Sequence, residues 1–438
     1  MGADIVLALL GVLFVMILLG IHIGISLGLI AGLGVYLILG NAQAALSIIS
    51  SAAYDAVRNQ VFAVIPLFVL MGDIVAKSGA ATDLYRLCDR GLSRLPGRLS
   101  VATVAGNAVF AAVTGVSVAS AATFSRVAYP EMRRFGYDKR YALGAVAGSA
   151  CLGMLIPPSI LLIVWGILTE MSVGALFVAG VIPGLLLAFL FAAYSVIRAI
   201  RDPEVAPSIK VDVSDEETPA ERRAELFGGF GILALISLVI GGVWGGLFTP
   251  TEASAFGVIG ALILGIAKGM RGPQLLQAIY DAGKTTAPII FLLITASMYS
   301  RLLASGGIVN IIQDFFVDLG FSPFMLVLVI AIIWLLLGML IDSVSIILLT
   351  VPIFVPLVMN TGFDPLAFAI FAILVIEAGL LTPPFGLLVY TVKGSVPDPD
   401  VTLKDIFIGS IPYLILILVV AALIWAFPSL ASWLPAQI

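Results

Sequence analysis

Two stretches of the sequence decide the fold: Gly153-Met154-Leu155-Ile156-Pro157-Pro158-Ser159 and Gly379-Leu380-Leu381-Thr382-Pro383-Pro384-Phe385. Each places a proline pair inside an apolar run that is long enough for a membrane helix, and each follows a Ser-Val pair by the same number of residues. A proline pair removes backbone N–H donors from a helix and frees carbonyl oxygens one turn earlier. Two breaks at matched positions therefore indicate an internal repeat in which each copy contains one broken helix.

The composition indicates the environment of the chain. Of its 438 residues, 61% are hydrophobic and 11% are charged, whereas soluble domains carry about 25% charged residues. Many runs approach the ~20 apolar residues that cross a bilayer, so we predict a polytopic membrane protein. The net charge of −4 gives no electrostatic basis for binding nucleic acid.

Reactive residue types are scarce in the chain. Two cysteines, Cys88 and Cys151, are too few for a disulfide framework or a cysteine metal site. The single histidine, His22, lies in the bend between the first two apolar runs, where we expect a structural role. The start Met1-Gly2-Ala3-Asp4 is acidic and not typical of a signal peptide, so the first apolar run is predicted to be a retained span.

The apolar runs predict membrane spans and two hairpins. The predicted spans cover residues 4–20, 23–40, 61–77, 142–168, 174–198, 227–247, 252–268, 285–303, 366–391 and 409–428. Residues 99–125 and 324–358 are also apolar, but each has a polar centre, at Thr114-Gly115-Val116-Ser117 and at residues 338–345. We predict that each forms a re-entrant hairpin, because irregular backbone at membrane depth needs protein or a water-filled cavity around it.

The distribution of basic residues favours this topology. With the N-terminus outside and both hairpins re-entrant, all but two of the 22 lysines and arginines fall on the cytoplasmic side, as the positive-inside rule requires. The exceptions are Arg58 and Arg301. Both termini are then periplasmic, and the two copies have opposite orientations. The predicted fold class is an all-α polytopic membrane protein with an inverted repeat, two re-entrant hairpins and two Pro-broken helices.

The proline breaks supply candidate cation ligands. A bare cation is a good partner for a carbonyl oxygen that a broken helix leaves free, and hard oxygen ligands suit Na⁺. In the first copy the candidates are the carbonyl oxygens of Gly153, Ile156 and Pro157, which Ala111 and Thr114 of the hairpin face. In the second copy they are the carbonyl oxygens of Gly379, Thr382 and Phe385, which Gly338 faces. The alternative interpretation is a pair of ordinary proline kinks, which are common in membrane helices.

Hydroxyl side chains are candidate substrate ligands. They lie at the hairpin tips and after the first proline pair, and they are Thr114, Ser117, Ser120, Ser159, Ser343 and Ser345. The N-termini of half-helices at the same depth suit a carboxylate, although small hydroxyl residues also allow tight helix packing. Asp342, also a candidate, is an acid inside an apolar run that either balances a cation or caps the next helix. Glu377 is a supporting candidate, and Asp73 is compatible with a purely structural role.

A further motif has a structural explanation. In Thr249-Pro250-Thr251-Glu252, threonine precedes proline at the first helical position and glutamate stands three residues after the threonine. This pattern is a capping box and predicts the start of a helix at Pro250.

Several of these motifs together resemble a known family. The order and spacing of four motifs are similar to those of the large membrane subunit of TRAP (tripartite ATP-independent periplasmic) transporters. The motifs are Ile65-Pro66-Leu67-Phe68 with Met71-Gly72, residues 249–253, residues 338–342 and residues 377–384. The resemblance covers essentially the whole chain. It implies Na⁺-driven uptake of an organic acid across the bacterial inner membrane by an elevator motion. It also implies two partners, a small four-helix membrane subunit and a soluble periplasmic substrate-binding protein.

The resemblance also implies site residues. Carried onto this sequence, the two Na⁺ sites of the family use Ala111, Thr114, Gly153, Ile156 and Pro157, and then Gly338, Gly379, Thr382 and Phe385. Ala111 and Val116 stand where the family usually has serines at the first hairpin tip, a difference that carbonyl ligation tolerates. The small subunit is not fused to this chain, so we expect it to be a separate protein.

We expect the chain to divide into a moving transport unit and a fixed scaffold. The transport unit comprises residues 61–170 and 285–395, and the scaffold comprises residues 1–60, 171–284 and 396–438, with a cytoplasmic linker at 199–226. Neither hairpin tip offers a bulky gating residue, which favours movement of the whole unit. The segments 86–98 and 274–284 are interpreted as amphipathic helices that join the two parts.

The leading hypothesis is a Na⁺-coupled transport subunit and not an enzyme. No P-loop motif is present, so ATP is not the direct energy source. One alternative is a stand-alone ion-coupled carrier of organic anions that works without a binding protein. The other is an intramembrane hydrolase, which the single histidine disfavours.

Overall fold

The computed structural model describes the backbone of residues 2–58, 60–207, 219–318 and 320–437, and within these ranges the chain is helical without a strand. In chain order the helices are α1 (Gly2–Leu18), α2 (Ile23–Leu39), α3 (Ala42–Arg58), α4 (Val64–Lys77), α5 (Ala80–Gly91), α6 (Arg98–Thr114), α7 (Ser117–Arg134), α8 (Lys139–Ala150), α9 (Ile160–Thr169), α10 (Val173–Arg201), α11 (Pro219–Trp244), α12 (Pro250–Ala267), α13 (Gly272–Gly306), α14 (Ile308–Asp318), α15 (Pro323–Gly338), α16 (Ser343–Met359), α17 (Pro365–Gly379), α18 (Leu387–Ser395), α19 (Leu403–Ala426) and α20 (Ser429–Ser432).

Helix lengths and surface composition fit a membrane protein. The stretches long and apolar enough to cross a bilayer are Gln60–Lys77, Val173–Arg201, Arg222–Trp244, Pro250–Ala267, Gly272–Gly306 and Leu403–Ala426. A helix of 18 residues is about 27 Å long, close to the ~30 Å of the hydrocarbon layer. Large apolar side chains on these helices point outward, as Phe189 (68% exposed) and Ile263 (65% exposed) illustrate. The prediction of a polytopic all-α membrane protein is confirmed.

Both predicted hairpins form as pairs of helices. In the first, α6 and α7 are joined by the first tip, residues 115–116; in the second, α15 and α16 are joined by the second tip, residues 339–342. Each hairpin is followed by a helix that ends before a proline pair, and both pairs contain a cis peptide bond, Pro157-Pro158 and Pro383-Pro384. A shorter helix then continues, α9 in the first copy and α18 in the second.

Some sequence predictions about helix position are wrong. No helix was predicted at α3 or α14, because both mix apolar and polar residues and lack the continuous apolar run of a membrane span. The segment 86–98 is not one helix, because α5 runs from Ala80 to Gly91 between glycine-rich turns. The segment 274–284 is not separate either, because it is the first part of the 35-residue α13.

The predicted linker is shorter than residues 199–226. Helix α10 continues to Arg201, and α11 begins at Pro219, where proline fits the first helical turn. The acidic run from Asp212 to Glu217 lies outside the described residues. The capping box at Thr249 is confirmed: the Glu252 N–H donates to Thr249 Oγ1 (3.3 Å) and the Thr249 N–H donates to a Glu252 carboxylate oxygen (2.8 Å).

Close backbone approaches hold the helices that surround the tips. Helix α19 lies along α8 and α17. A Cβ atom placed on Gly144 of α8 would lie 2.0 Å from the carbonyl oxygen of Gly409 of α19. Only glycine fits such a contact, since a real Cβ atom stays beyond about 3 Å.

Ion pairs join α4 and α5 to the helices of the middle of the chain. Lys77 of α4 contacts Asp281 of α13 at 2.5 Å. Lys268, directly after α12, contacts Asp83 of α5. Burial raises the pKa of the Asp83 carboxyl, and the contact with Lys268 opposes that shift.

Candidate functional site

Both hairpin tips open into one cavity of about 770 Å³. The cavity is also lined by the α1–α2 bend, by one face of α4, and by α13 around Pro288. The predicted substrate ligands that line it are Thr114, Ser117, Asp342, Ser343 and Ser345. Ser120 and Ser159 are not among its lining residues. The structure therefore brings polar groups from two distant parts of the sequence to one place.

The first tip is held against the first proline break. Gly115 adopts a left-handed conformation (φ 62°), and its N–H closes α6 by donating to the Ala111 carbonyl (2.9 Å). Its own carbonyl accepts from the Ile160 N–H after the break (3.2 Å). A Cβ on Gly153 would lie 2.9 Å from the Ser117 nitrogen. Glycine at these positions lets the tip and the break touch through their backbones.

The second tip repeats this arrangement with different atoms. A Cβ on Gly338 would lie 2.7 Å from the Cα of Gly379, and a Cβ on Gly379 would lie 2.7 Å from the Cα of Gly338. The Gly386 N–H, after the second proline pair, donates to the Met339 carbonyl (3.4 Å). The tip and the break of the second copy are thus also in backbone contact.

Several predicted cation ligands have unused carbonyl oxygens. Within the described residues, no hydrogen bond reaches the carbonyl oxygens of Ile156, Pro157, Gly338, Thr382 and Phe385. The carbonyls of Ala111 and Gly379 accept backbone N–H groups, from Gly115 and Thr382 respectively, at 2.9 Å each. A carbonyl oxygen with a free lone pair at membrane depth needs a partner. These candidate ligands are neutral oxygen atoms, a set that fits a monovalent hard cation.

The two helix starts at the tips differ in how they are capped. Asp342 caps α16, where its carboxylate accepts the Ser345 N–H (3.0 Å) and the Ser345 hydroxyl. Helix α7 begins after Val116 without any side-chain cap. Within the described residues, the N–H groups of residues 117–119 have no hydrogen-bond acceptor, and these residues line the cavity.

A buried acid connects the second break with the second tip. The Glu377 side chain is 1% exposed, and its carboxylate accepts the Ser343 hydroxyl at 2.8 Å. The Ser117 hydroxyl of the first tip approaches the same carboxyl without a hydrogen bond of normal geometry. From the sequence, Glu377 is only a supporting candidate, because it lies five residues before the predicted ligand Thr382. Its contact with the tip could be seen only once the second hairpin was folded against α17.

Other predicted residues have structural partners. The Ser159 hydroxyl caps α9 by accepting the Leu162 N–H (3.3 Å) and donates to the Met154 carbonyl. Thr382 donates its hydroxyl to the Ala378 carbonyl (2.9 Å). His22 caps α2, where its Nδ1 accepts the Gly24 N–H (3.2 Å), as the structural interpretation predicts, and the residue also lines the cavity.

This arrangement defines a class of protein. Two hairpin tips and residues beside two helix breaks meet at one cavity between apolar helices, with a few polar groups in a mainly apolar lining, which is the organisation of a membrane transport protein. Residues 10–430 match the family described as "Tripartite ATP-independent periplasmic transporter, DctM component". The chain belongs to this family, as the sequence motifs predict.

Curated relatives extend over nearly the full chain. The C4-dicarboxylate TRAP transporter large permease protein DctM of Pseudomonas aeruginosa is 32% identical over 94% of this chain and 93% of its own length. The sialic acid TRAP transporter large permease protein SiaM of Vibrio cholerae is 29% identical over 97% of this chain and 96% of its own length. The ectoine TRAP transporter large permease protein TeaC of Halomonas elongata is 30% identical over 84% of this chain and 85% of its own length.

A solved structure shares the fold. The YdaH transporter of Alcanivorax borkumensis superposes with a TM-score of 0.64 at 14% sequence identity, covering 90% of this chain and 89% of that one. At this identity the likeness concerns the fold alone. The chain is a multi-pass membrane protein of a transport family.

Proposed function

We propose that this protein is the large subunit of a Na⁺-coupled secondary transporter that takes up a small organic acid across the bacterial inner membrane. The observation that carries the proposal is the meeting of two hairpin tips and two proline breaks at one cavity of about 770 Å³. Carbonyl oxygens without hydrogen bonds occur at both breaks, within a few residues of lining residues such as Met154 and Leu380. Na⁺ and substrate would then bind side by side, so that the gradient of one drives the movement of the other.

Each copy supplies one Na⁺ site in this proposal. The first uses the carbonyl oxygens of the α6 end and the first break, and the second those of the α15 end and the second break. The ligands are Ala111, Thr114, Gly153, Ile156 and Pro157 for the first site and Gly338, Gly379, Thr382 and Phe385 for the second. The backbone contacts Gly153–Ser117 and Gly338–Gly379 support both sites, because they hold tip and break at fixed separation.

The site and the relatives support an organic acid as the substrate class. Relatives are named for C4-dicarboxylates, sialic acid and ectoine, all small molecules with a carboxylate. The open N-terminus of α7 at the cavity suits such a group, because its free N–H groups and the helix dipole favour negative charge.

The family implies a three-part assembly. We propose a separate small membrane subunit and a periplasmic substrate-binding protein as partners, with both termini of this chain on the periplasmic side. The alternative, a carrier that works without a binding protein, keeps the same cavity and Na⁺ sites.

Transport requires that the cavity face alternate sides. We propose an elevator motion in which both tips and both breaks travel together. The contacts favour one change from the predicted division: α19 lies along α8 and α17, so it travels with the transport unit and not with the scaffold. The ion pairs Lys77–Asp281 and Lys268–Asp83 join α4 to α13 and α5 to the end of α12. In this proposal, the boundary between the two parts runs beside these helices.

The test is uptake into proteoliposomes that contain this chain and the proposed small membrane subunit. With the cognate binding protein outside, an inward Na⁺ gradient should drive accumulation of a radiolabelled organic acid, while a K⁺ gradient of equal size should not. Accumulation that is independent of Na⁺ would contradict the coupling. Equal uptake without the binding protein would favour the stand-alone carrier.

A further inference from the structure

A second cavity lies where the ends of three helices meet. Its volume is about 600 Å³, and its walls are the start of α8, the end of α10 and the start of α19. Helices α10 and α19 are both long and apolar enough to cross a bilayer, so their ends at this cavity mark the edge of the membrane. In the proposed topology this edge is the cytoplasmic one. The proposed Na⁺ and substrate sites include no lining residue of this cavity.

Arginine side chains are concentrated in this second cavity. Arg198 and Arg201 line it from α10, and Arg140 lines it from α8. On α10 the two arginines stand four and seven residues after Tyr194, another lining residue, so the three side chains share one face of the helix. A guanidinium group is planar and its N–H groups match the oxygen atoms of a phosphate.

Two of these arginines have acidic partners but keep unused donors. Arg140 donates from its Nε to Asp405 (3.1 Å), which Lys139 also contacts at 2.8 Å. Arg198 pairs with Asp202 at 3.0 Å through one terminal nitrogen. Since a guanidinium group has five N–H donors, both arginines can bind a ligand without leaving their partners.

The third arginine is not compensated. Within the described residues Arg201 makes no ion pair. Asp138, the one acid among the described lining residues, caps α8 by accepting the Tyr141 N–H (2.9 Å). Glu204 is exposed in the loop after α10 and does not line the cavity. With Lys139 counted, four cations face three acids at this cavity, which leaves one positive charge for an anion to neutralise.

Hydrogen bonds between the helices hold the walls of the cavity in place. The Tyr141 hydroxyl donates to the Ser195 carbonyl (2.8 Å), and the Tyr413 hydroxyl lies 3.1 Å from the Ser195 hydroxyl. These contacts join α8 and α19 to α10. The Tyr194 ring packs edge-on against Tyr413, with 5.3 Å between the centroids. Tyrosine is typical of the membrane interface, where its ring is buried and its hydroxyl meets polar groups.

Two apolar tracks lead away from the cavity along the outer surface. On α10 exposed apolar side chains follow one face from Ile197 back to Leu185, and on α19 they follow one face from Ile408 to Val419. Ile197 and Ile408 also line the cavity. At 1.5 Å per residue each track is about 16–18 Å long, close to half of the ~30 Å hydrocarbon layer. The tracks therefore have the length of an acyl chain in one leaflet.

We propose that this cavity binds the phosphate of an anionic phospholipid, whose acyl chains lie along the two tracks. A soluble phosphate carries the same charge but leaves both tracks uncovered, which favours the lipid. Basic pockets between membrane helices at the cytoplasmic side suit such headgroups. A headgroup without an ammonium, as in phosphatidylglycerol, matches the uncompensated charge, whereas the choline of phosphatidylcholine adds a positive charge. This inference concerns a site separate from substrate and Na⁺ and does not depend on either.

The test counts the lipids bound to the purified, delipidated chain by native mass spectrometry. Dioleoyl phosphatidylglycerol and dioleoyl phosphatidylcholine are titrated in detergent, and melting temperatures are measured in parallel. We expect the wild type to bind phosphatidylglycerol more tightly and to be stabilised by it. Arg201→Gln should weaken this binding about 5-fold, the value of one cation beside anionic lipid, and Arg201→Lys should largely retain it. Since Arg201 has no ion-pair partner among the described residues, neither variant removes a salt bridge from the fold.

Arg134→Gln is the matched control, because Arg134 is exposed at the end of α7, at the same edge of the membrane, and does not line the cavity. Equal binding of the two lipids by the wild type would overturn the inference. An equal loss in Arg134→Gln and Arg201→Gln would do so as well, because the attraction would then be spread over the basic surface.

Glycerol 1-phosphate separates the two sources of phosphate. It has the headgroup chemistry without acyl chains, so it should displace phosphatidylglycerol only weakly. Displacement at equal concentration, lost in Arg201→Gln, would assign the cavity to a soluble phosphate and overturn the lipid. None of these measurements involves uptake, so a failure of the proposed transport function leaves this inference standing.

Discussion

The contact between Gly338 and Gly379 gives the sharpest test of the Na⁺ sites. In Gly338→Ala the new Cβ would lie 2.7 Å from the Gly379 Cα and 2.9 Å from the Ile376 carbonyl oxygen, both backbone atoms that no side-chain rotation can clear. Ordinary contact begins at 3.4 Å, so the second tip must withdraw by about 0.7 Å. Overpacking of this kind costs about 1–3 kcal/mol.

The expected result is a loss of Na⁺ affinity. Withdrawal of the tip moves the Gly338 carbonyl away from the oxygens of the second break, and Na⁺ binding must then push the tip back against the clash. A cost of 1–3 kcal/mol paid on binding, at 1.4 kcal/mol per tenfold, corresponds to roughly a 5- to 100-fold rise in the Na⁺ concentration for half-maximal uptake. The assay is initial uptake into proteoliposomes at a series of Na⁺ concentrations, with thermal stability of the purified protein measured in parallel.

Gly394→Ala is the control for this experiment. Gly394 lies in α18, and a Cβ atom added there would meet nothing outside its own helix within 4 Å, so alanine at this position should leave the Na⁺ dependence unchanged. Wild-type Na⁺ dependence and wild-type stability in Gly338→Ala would refute the reasoning, because the backbone contact would then not position a cation ligand.

Three more predictions follow from the site and the topology. Glu377→Ala should destabilise the protein by about 1–3 kcal/mol, since the Ser343 hydroxyl loses its acceptor, whereas Glu377→Gln keeps an acceptor and should melt close to the wild type; equal melting temperatures for both variants would contradict this. Pro383→Ala restores a backbone N–H donor that can engage a freed carbonyl, so uptake should need more Na⁺; an unchanged Na⁺ requirement with normal expression counts against the second site. In a background without native cysteines, Glu204→Cys should react with an impermeant maleimide only from the cytoplasm and Asn360→Cys only from outside; labelling of both from one face excludes the inverted repeat.

Much of the fold was predictable because membrane helices are encoded locally. Length, apolar composition and paired prolines are all visible in the sequence, and they locate the breaks at Pro157 and Pro383 as well as both hairpins. Helix α3 was missed because polar residues such as Gln43 and Asp55 interrupt its apolar pattern. A helix that lies partly against other helices need not satisfy the hydropathy of a span.

The site was predictable in outline but not in its polar detail. The hydroxyls at the tips are evident from the two Ser-Val pairs, whereas the partner of each hydroxyl depends on which helix packs beside it. Glu377 contacts Ser343, 34 residues earlier in the chain. Asp73 faces the cavity only because Gly72 allows α4 to approach Thr114. Such pairings arise from tertiary packing, and no local pattern in a single sequence records them.

The glycine contact between α8 and α19 also sets an order for assembly. Helix α8 is synthesised early and α19 near the end of the chain, yet Gly144 and Gly409 meet with no space for a side chain between them. Until α19 enters the membrane, we expect the surface of α8 at Gly144 to lack the backbone that covers it in the complete protein. The packing of the first half of the protein is therefore complete only after α19, the last long helix, has inserted.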